Sequence, residues 1–437
     1  MRKIWNRVIL SLAILAAVLS AGFLVSPFVG SSSKSDLPTA DPTLLQTTPK
    51  SLQSFYSQKP VWKNCAGSNK KARCTSIKVP LDWSKPTAGS INIAVAVNPA
   101  SNPKTAPYLL MNPGGPGGSG RDWVTEYITS LGTNKLRSKY NIVGFDPRGV
   151  GASSKVKCFS SDKMYSYLYG QSPYEYGSTE DLNFSKKSVS DFAAACKKNT
   201  GALLGKVDTS SAAKDMDIIR AVLGSKKLNY LGFSYGTLLG ITYASYFPQN
   251  VGRFVLDGVV DPTTTPEEDS LNQLIGFQSA MRAYLADCIS NVSSCPFKGM
   301  TVDAAMDKVG TDFLGVLEKN VIRTSLGSRK LSLGSGFTGM IAALYSKDSW
   351  QYLTMAFNEF FQTRRDGRIF LLLADSYNSY DQDTNTFTGN ETEAFKSISC
   401  LDGRESGDMA DMQAQNARVL EASKVFGRYW QYGGIAC

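Results

Sequence analysis

Leu231-Gly232-Phe233-Ser234-Tyr235-Gly236-Thr237 constrains this chain more than any other stretch. It reads Gly-x-Ser-x-Gly. Residues 228–231 before it look like a short buried strand. Residues 237–246 after it have helical spacing and stop at Phe247-Pro248. A strand, a sharp turn and a helix are what a nucleophile elbow requires. In so tight a turn, side chains two before and two after the serine would strike the backbone, and glycine at 232 and 236 removes that clash. The serine hydroxyl would then stand at the C-terminal edge of a sheet, with the next residue's N–H aimed at the same point. Taken alone the pentapeptide is also compatible with an ordinary turn, so the rest of the chain decides.

Upstream, residues 75–83 and 90–97 carry alternating or β-branched apolar residues around a Lys-Pro-Thr-Ala-Gly turn, which predicts a hairpin. Residues 108–111 form a short apolar run entering Asn112-Pro113-Gly114-Gly115-Pro116-Gly117-Gly118-Ser119-Gly120, a loop almost free of side chains. Asp122 is placed to cap a helix over 123–131. A second apolar run, 141–146, ends in the turn 147–153. The stretch 158–206 is irregular and partly helical. Residues 210–223 have helical periodicity, with Ala213, Met216, Ile219 and Val222 on one face and Asp215, Asp217 and Arg220 elsewhere. Residues 251–260 make another buried strand. The alternation predicts an α/β fold: a doubly wound, mostly parallel sheet with helices on both faces. After Pro262 the periodicity turns helical, over 270–289, 301–317, 334–345, 349–363 and 367–379, which predicts a helical cap. The expected organisation is thus 1–30 signal peptide or signal anchor, 31–59 flexible linker, 60–262 core and 263–437 cap.

The 437 residues can bury a large core. Their net charge of +10 comes from scattered lysines and arginines with no basic run after the first residues, so a nucleic-acid partner is not expected. Arg2, Lys3 and Arg7 precede an apolar run over 8–29, the pattern of an export signal, long enough to insert in a membrane as an uncleaved anchor. The expected location is exported: extracellular, in the cell envelope, or anchored with the domain outside. The 8 cysteines include no Cys-x-x-Cys pair of zinc-site type, and neither metal nor cofactor is expected. An even set in an exported chain suggests disulfides. Sequential pairing is expected (Cys65–Cys74, Cys158–Cys196, Cys288–Cys295, Cys400–Cys437), although sequence does not determine connectivity.

With these residues in hand, the chain resembles the secreted tripeptidyl-aminopeptidase group of the α/β-hydrolase superfamily, relatives of the proline iminopeptidases. The resemblance rests on 112–120, 144–153, 215–224, 232–237 and 256–262 in this order. Cys400-Leu401-Asp402 and the closing Gly433-Gly434-Ile435-Ala436-Cys437 add to it. It implies that Ser234 attacks a peptide or ester carbonyl. The N–H groups of Tyr235 and of Gly115 or Gly114 would form the oxyanion hole, with Gly115 favoured. Asp146 and Arg148 are expected to form a structural ion pair. Glu267 and Glu268 at the start of the cap could hold a substrate's free amino group, or simply favour a helix N-terminus.

One departure is decisive: the sequence contains no histidine. In this group a histidine, oriented by an acid, serves as base and follows the cap. Removing such a base costs on the order of a million-fold in turnover, or about 8 kcal/mol of barrier. Asp257 and Asp261, with no imidazole to orient, are expected to be structural. The expectation is therefore a peptidase or esterase fold inactive or incomplete alone, with a complementing C-terminal fragment as a partner, or a non-catalytic binding protein that kept the fold. The 251–260 strand would then be an apolar sheet edge, prone to self-association.

Overall fold

The computed structural model describes Leu37 and residues 48–362 and 364–437. The expected signal or anchor over 1–30 lies outside the described residues, as does most of the linker. Residues 50–59 do not continue a tether. They form helical turns at Lys50–Leu52 and Gln53–Tyr56, which bury Phe55 and Tyr56 in the core of the sheet. Their apolar rings outweigh the polar composition around them.

Seven strands make one sheet in the order β1-β2-β3-β5-β4-β6-β7. They are β1 (Lys63–Asn64), β2 (Arg73–Pro80), β3 (Ser90–Asn98), β4 (Tyr108–Asn112), β5 (Asn141–Phe145), β6 (Leu228–Phe233) and β7 (Val251–Asp257). The predicted hairpin is β2–β3, paired antiparallel from Arg73–Val97 to Pro80–Ser90. From β5 through β4 and β6 to β7 the pairing is parallel. Every residue of β4 and β5 is buried, as a strand covered on both faces requires. β7 is the apolar edge strand expected over 251–260. It has no neighbour on its outer side among the described residues, and Val255 is 59% exposed.

Helix α1 (Gly120–Thr125) follows β4. Ser119 caps it in place of Asp122, because the Ser119 hydroxyl accepts the N–H of Asp122. Helix α2 (Thr209–Val222) was expected to be amphipathic, but Asp215, Asp217 and Arg220 are buried too. Arg148 and Asp215 explain one of them. The Arg148 guanidinium forms a fork on the Asp215 carboxylate, at 2.7 Å through both Nε and Nη2. Its remaining hydrogens go to the carbonyls of Pro80, Leu81 and Lys206. The expected Asp146–Arg148 pair is therefore corrected. Asp146 instead accepts from the Ser119 hydroxyl at 2.6 Å and from the N–H groups of Arg121 and Ala152. Asp217 is held by Arg220, Tyr56, Tyr243 and Asn250. Fixed amphipathic periodicity has no way to show charges whose partners come from distant strands and loops.

Helix α3 (Tyr235–Tyr246) follows β6, and α4 (Pro266–Asn291) opens the helical region. That region has its own core, in which Phe313, Phe357, Phe360 and Phe370 pack ring against ring. Helix α5 (Glu391–Asp402) departs from the expected 263–437 cap. Its Ala394 and Ile398 are buried in the same apolar cluster as the sheet. The eight cysteines form four disulfides in sequential order, Cys65–Cys74, Cys158–Cys196, Cys288–Cys295 and Cys400–Cys437.

Candidate functional site

The site is built where β6 turns into α3. Ser234 sits at that turn with φ 52° and ψ −124°, a conformation that an L-residue adopts only under constraint. The constraint is visible on both sides. The Ser234 N–H donates to the Asp257 carbonyl at 2.9 Å, and its carbonyl accepts from both the N–H and the hydroxyl of Thr237. A Cβ at Gly232 would lie 2.5 Å from the Gly236 carbonyl oxygen, and one at Gly236 would lie 2.7 Å from that of Asn112. Only glycine fits either position. Ser234 is exposed, and its hydroxyl has no hydrogen-bond partner among the described residues.

The glycine loop after β4 lies against this turn. A Cβ at Gly114 would come within 3.1 Å of Ser234 Cβ and 3.3 Å of the Tyr235 nitrogen. Asn112 anchors the loop, since its Oδ1 accepts the Gly114 N–H at 2.9 Å. That contact separates the two candidate donors. The Gly114 N–H is already engaged, whereas the Gly115 N–H has no acceptor among the described residues. Asn112 was not singled out in the sequence. It lay in the quoted loop, but an asparagine before Pro-Gly-Gly carries no signal of which N–H it will hold.

Tyr235 is buried, and burial raises its phenol above the ordinary tyrosine value. Its hydroxyl meets the Thr209 hydroxyl, which donates to Asp402 Oδ2 at 2.5 Å. Sequence reasoning missed Thr209 altogether and gave Asp402 no role. The two are 193 positions apart, and only the docking of α5 brings them together.

Glu267 and Glu268 sit in the first turn of α4. Glu268 closes a capping box with Thr265, accepting its N–H at 2.9 Å. Glu267 accepts the Ser406 N–H at 2.9 Å and shares a cavity of about 20 Å³ with Glu405, Asp411 and Gly433, room for roughly one water. Both carboxylates thus hold helix and loop ends, the second of the two roles expected for them. Asp261 likewise holds its own turn, through Thr263. Among the described residues, no group of three or more His, Cys, Asp or Glu is placed to hold a metal.

Glu391 opens α5 beside the glycine loop, where a Cβ at Gly117 would lie 2.7 Å from its carbonyl oxygen. Burial, aided by the charges of Asp122 and Glu393, pushes the Glu391 carboxyl up to about 8. An acid raised on folding is penalised when it ionises. Its contribution therefore falls as pH rises from the unfolded value, about 4.3, through about 8. Glu391→Gln is expected to match the parent near pH 4 and to melt higher at pH 8.5, by an amount on the order of a few kcal/mol. Thermal melts at the two pH values check this; a gap that does not widen contradicts it.

A nucleophile-type serine on a strand–helix turn, opposed by a glycine loop at the C-terminal edge of a parallel sheet, defines the α/β-hydrolase class. The family model described as alpha/beta hydrolase fold matches residues 107–294. The chain is 33% identical over 387 residues to serine protease Hip1 of Mycobacterium tuberculosis, covering 86% of this chain and 72% of that protein. It is 32% identical over 449 residues to carboxylesterase B of the same organism, covering 100% of this chain and 82% of the relative. It is 38% identical over 208 residues to a tripeptidyl aminopeptidase of Streptomyces coelicolor, covering 46% of this chain and 38% of the relative. The chain belongs to the α/β-hydrolase family, in its tripeptidyl-aminopeptidase-like group.

Proposed function

We propose that this protein is an exported acyl hydrolase in which Ser234 is the nucleophile and the N–H groups of Tyr235 and Gly115 receive the oxyanion. The observation that carries this reading is Ser234 itself. Backbone strain is retained at an exposed serine whose hydroxyl does no structural work, with two unengaged N–H groups beside it. Strain of this kind costs about 1–3 kcal/mol and persists where function uses it. Short peptides, cut from their amino ends, are the proposed substrates, on the strength of relatives named tripeptidyl aminopeptidase and serine protease. The carboxylesterase relatives keep esters as the second substrate class. Export is supported by four disulfides and by the basic-then-apolar start of the sequence.

Attack by Ser234 requires that its proton leave. No histidine is present among the 437 residues, and no side chain accepts the Ser234 hydroxyl among the described residues. A base from outside these 437 residues is therefore required, and these residues alone would retain only what an oxyanion hole provides, roughly a thousand-fold over water. The uncovered outer side of β7, with Val255 exposed, is where a further strand would complete the sheet.

Incubation with an aryl fluorophosphonate, read by intact mass and peptide mapping, tests the reading. Slow, stoichiometric modification of Ser234 is expected, abolished in Ser234→Ala. No modification of Ser234 after long exposure would remove the nucleophile role and favour a non-catalytic binding protein. Rapid modification would show that a base is present after all.

A further inference from the structure

Helix α5 is fastened to the site at both ends. At its start, the Asn390 amide donates to the carbonyls of Gly149 and Val156 at 2.8 and 2.9 Å and accepts the Gly151 N–H at 2.8 Å. Along its middle it lies on the glycine loop, where a Cβ at Gly117 would stand 3.3 Å from Ala394 Cβ. At its end Asp402, otherwise on the surface, reaches back to the first residue of α2. Its carboxylate accepts the Thr209 N–H at 2.8 Å and the Thr209 hydroxyl at 2.5 Å.

An ionised carboxylate only accepts. The Thr209 hydroxyl therefore spends its proton on Asp402, and its oxygen is left to accept from the Tyr235 hydroxyl. The direction of the whole relay follows: Tyr235 O–H to Thr209, Thr209 O–H to Asp402. Tyr235 is buried, and its ring is held at both the backbone and the hydroxyl. Its backbone N–H is the first of α3, next to Ser234.

We propose that Asp402 is a positioning residue that sets the Tyr235 amide as an oxyanion donor by way of Thr209. This rests on the reading of Ser234 as nucleophile and Tyr235 N–H as donor. Asp402 touches no reacting atom. Its effect is geometric, and a donor displaced by a fraction of an ångström loses most of its value to a developing oxyanion.

The test uses the full chain, an aryl fluorophosphonate and three variants. Asp402→Ala and Tyr235→Phe each break the relay at one end, and Thr209→Ser keeps it. The Asp402→Ala and Tyr235→Phe proteins are expected to be modified at Ser234 about tenfold more slowly. The phosphorus-31 resonance of their adduct, whose P=O occupies the oxyanion position, is expected to move. Thr209→Ser is expected to keep the parent rate and resonance. Should Asp402→Ala fail to fold, Tyr235→Phe decides, because it leaves the Asp402–Thr209 contacts intact. Lower melting temperatures with unchanged rates and resonance would overturn the positioning role and leave the nucleophile standing. Absence of Ser234 modification in the parent would overturn both.

Discussion

Hydrolysis of an activated aryl ester by this protein is expected to run no more than about a thousand-fold above the uncatalysed rate until free imidazole is added, and then to rise at least tenfold, in proportion to imidazole. The expectation joins two facts. The sequence has no histidine, and Ser234 is exposed, its hydroxyl without a partner among the described residues. A small base from solution can therefore reach the position an imidazole side chain would hold. An imidazole base at such a serine is worth on the order of a million-fold, so even inefficient rescue is visible. Only the neutral ring accepts a proton, so rescue should grow as pH climbs through about 6.5, the ordinary imidazole range. Ser234→Ala supplies the baseline, because imidazole hydrolyses such esters unaided. Turnover at ordinary hydrolase rates, about 1–1000 per second, without imidazole would show that another residue serves as base.

The second large effect concerns folding. Arg148→Met is expected to destabilise the protein by about 3–5 kcal/mol, the cost of leaving a buried carboxylate without its counter-ion. Both partners are essentially inaccessible, at 0% and 1% exposure. Burial still holds the Asp215 carboxyl above its ordinary value, although Arg148 and the Trp83 indole N–H pull it down. The pair is thus near balance as a unit and costly to halve. Asp215→Asn should cost a comparable amount, and the double variant less than the sum of the two, because removing both charges leaves neither stranded. Urea unfolding of the three proteins measures this, and a loss below about 1 kcal/mol in Arg148→Met would contradict it.

The elbow was legible because its chemistry is local. Two glycines four apart around a serine, after an apolar run and before a helical one, leave few other conformations open to the backbone. The same holds for β2, β3, β4 and β5, whose side-chain periodicity follows from the pleat itself. Parts of the site were not local and stayed hidden. Asn112 determines that the Gly114 N–H is engaged and the Gly115 N–H is not, a distinction made by one side-chain rotamer. Asp146 and Arg148, two residues apart, invited pairing. The strand end instead points them to different partners, Ser119 and Asp215. Glu267 and Glu268 offered charge at a helix start, and charge alone does not tell a ligand site from a cap.

Sequence by itself determined the class of fold and the serine that stands at its strand–helix turn. Each of these is carried by residue identity and short-range spacing. Tertiary structure alone decided that α5 leaves the helical region to lie on the sheet's core and that Asp402 reaches Tyr235 through Thr209. Those outcomes depend on which apolar faces meet across hundreds of residues, and burial free energy, proportional to area and blind to direction, leaves no local mark of its partner in the chain.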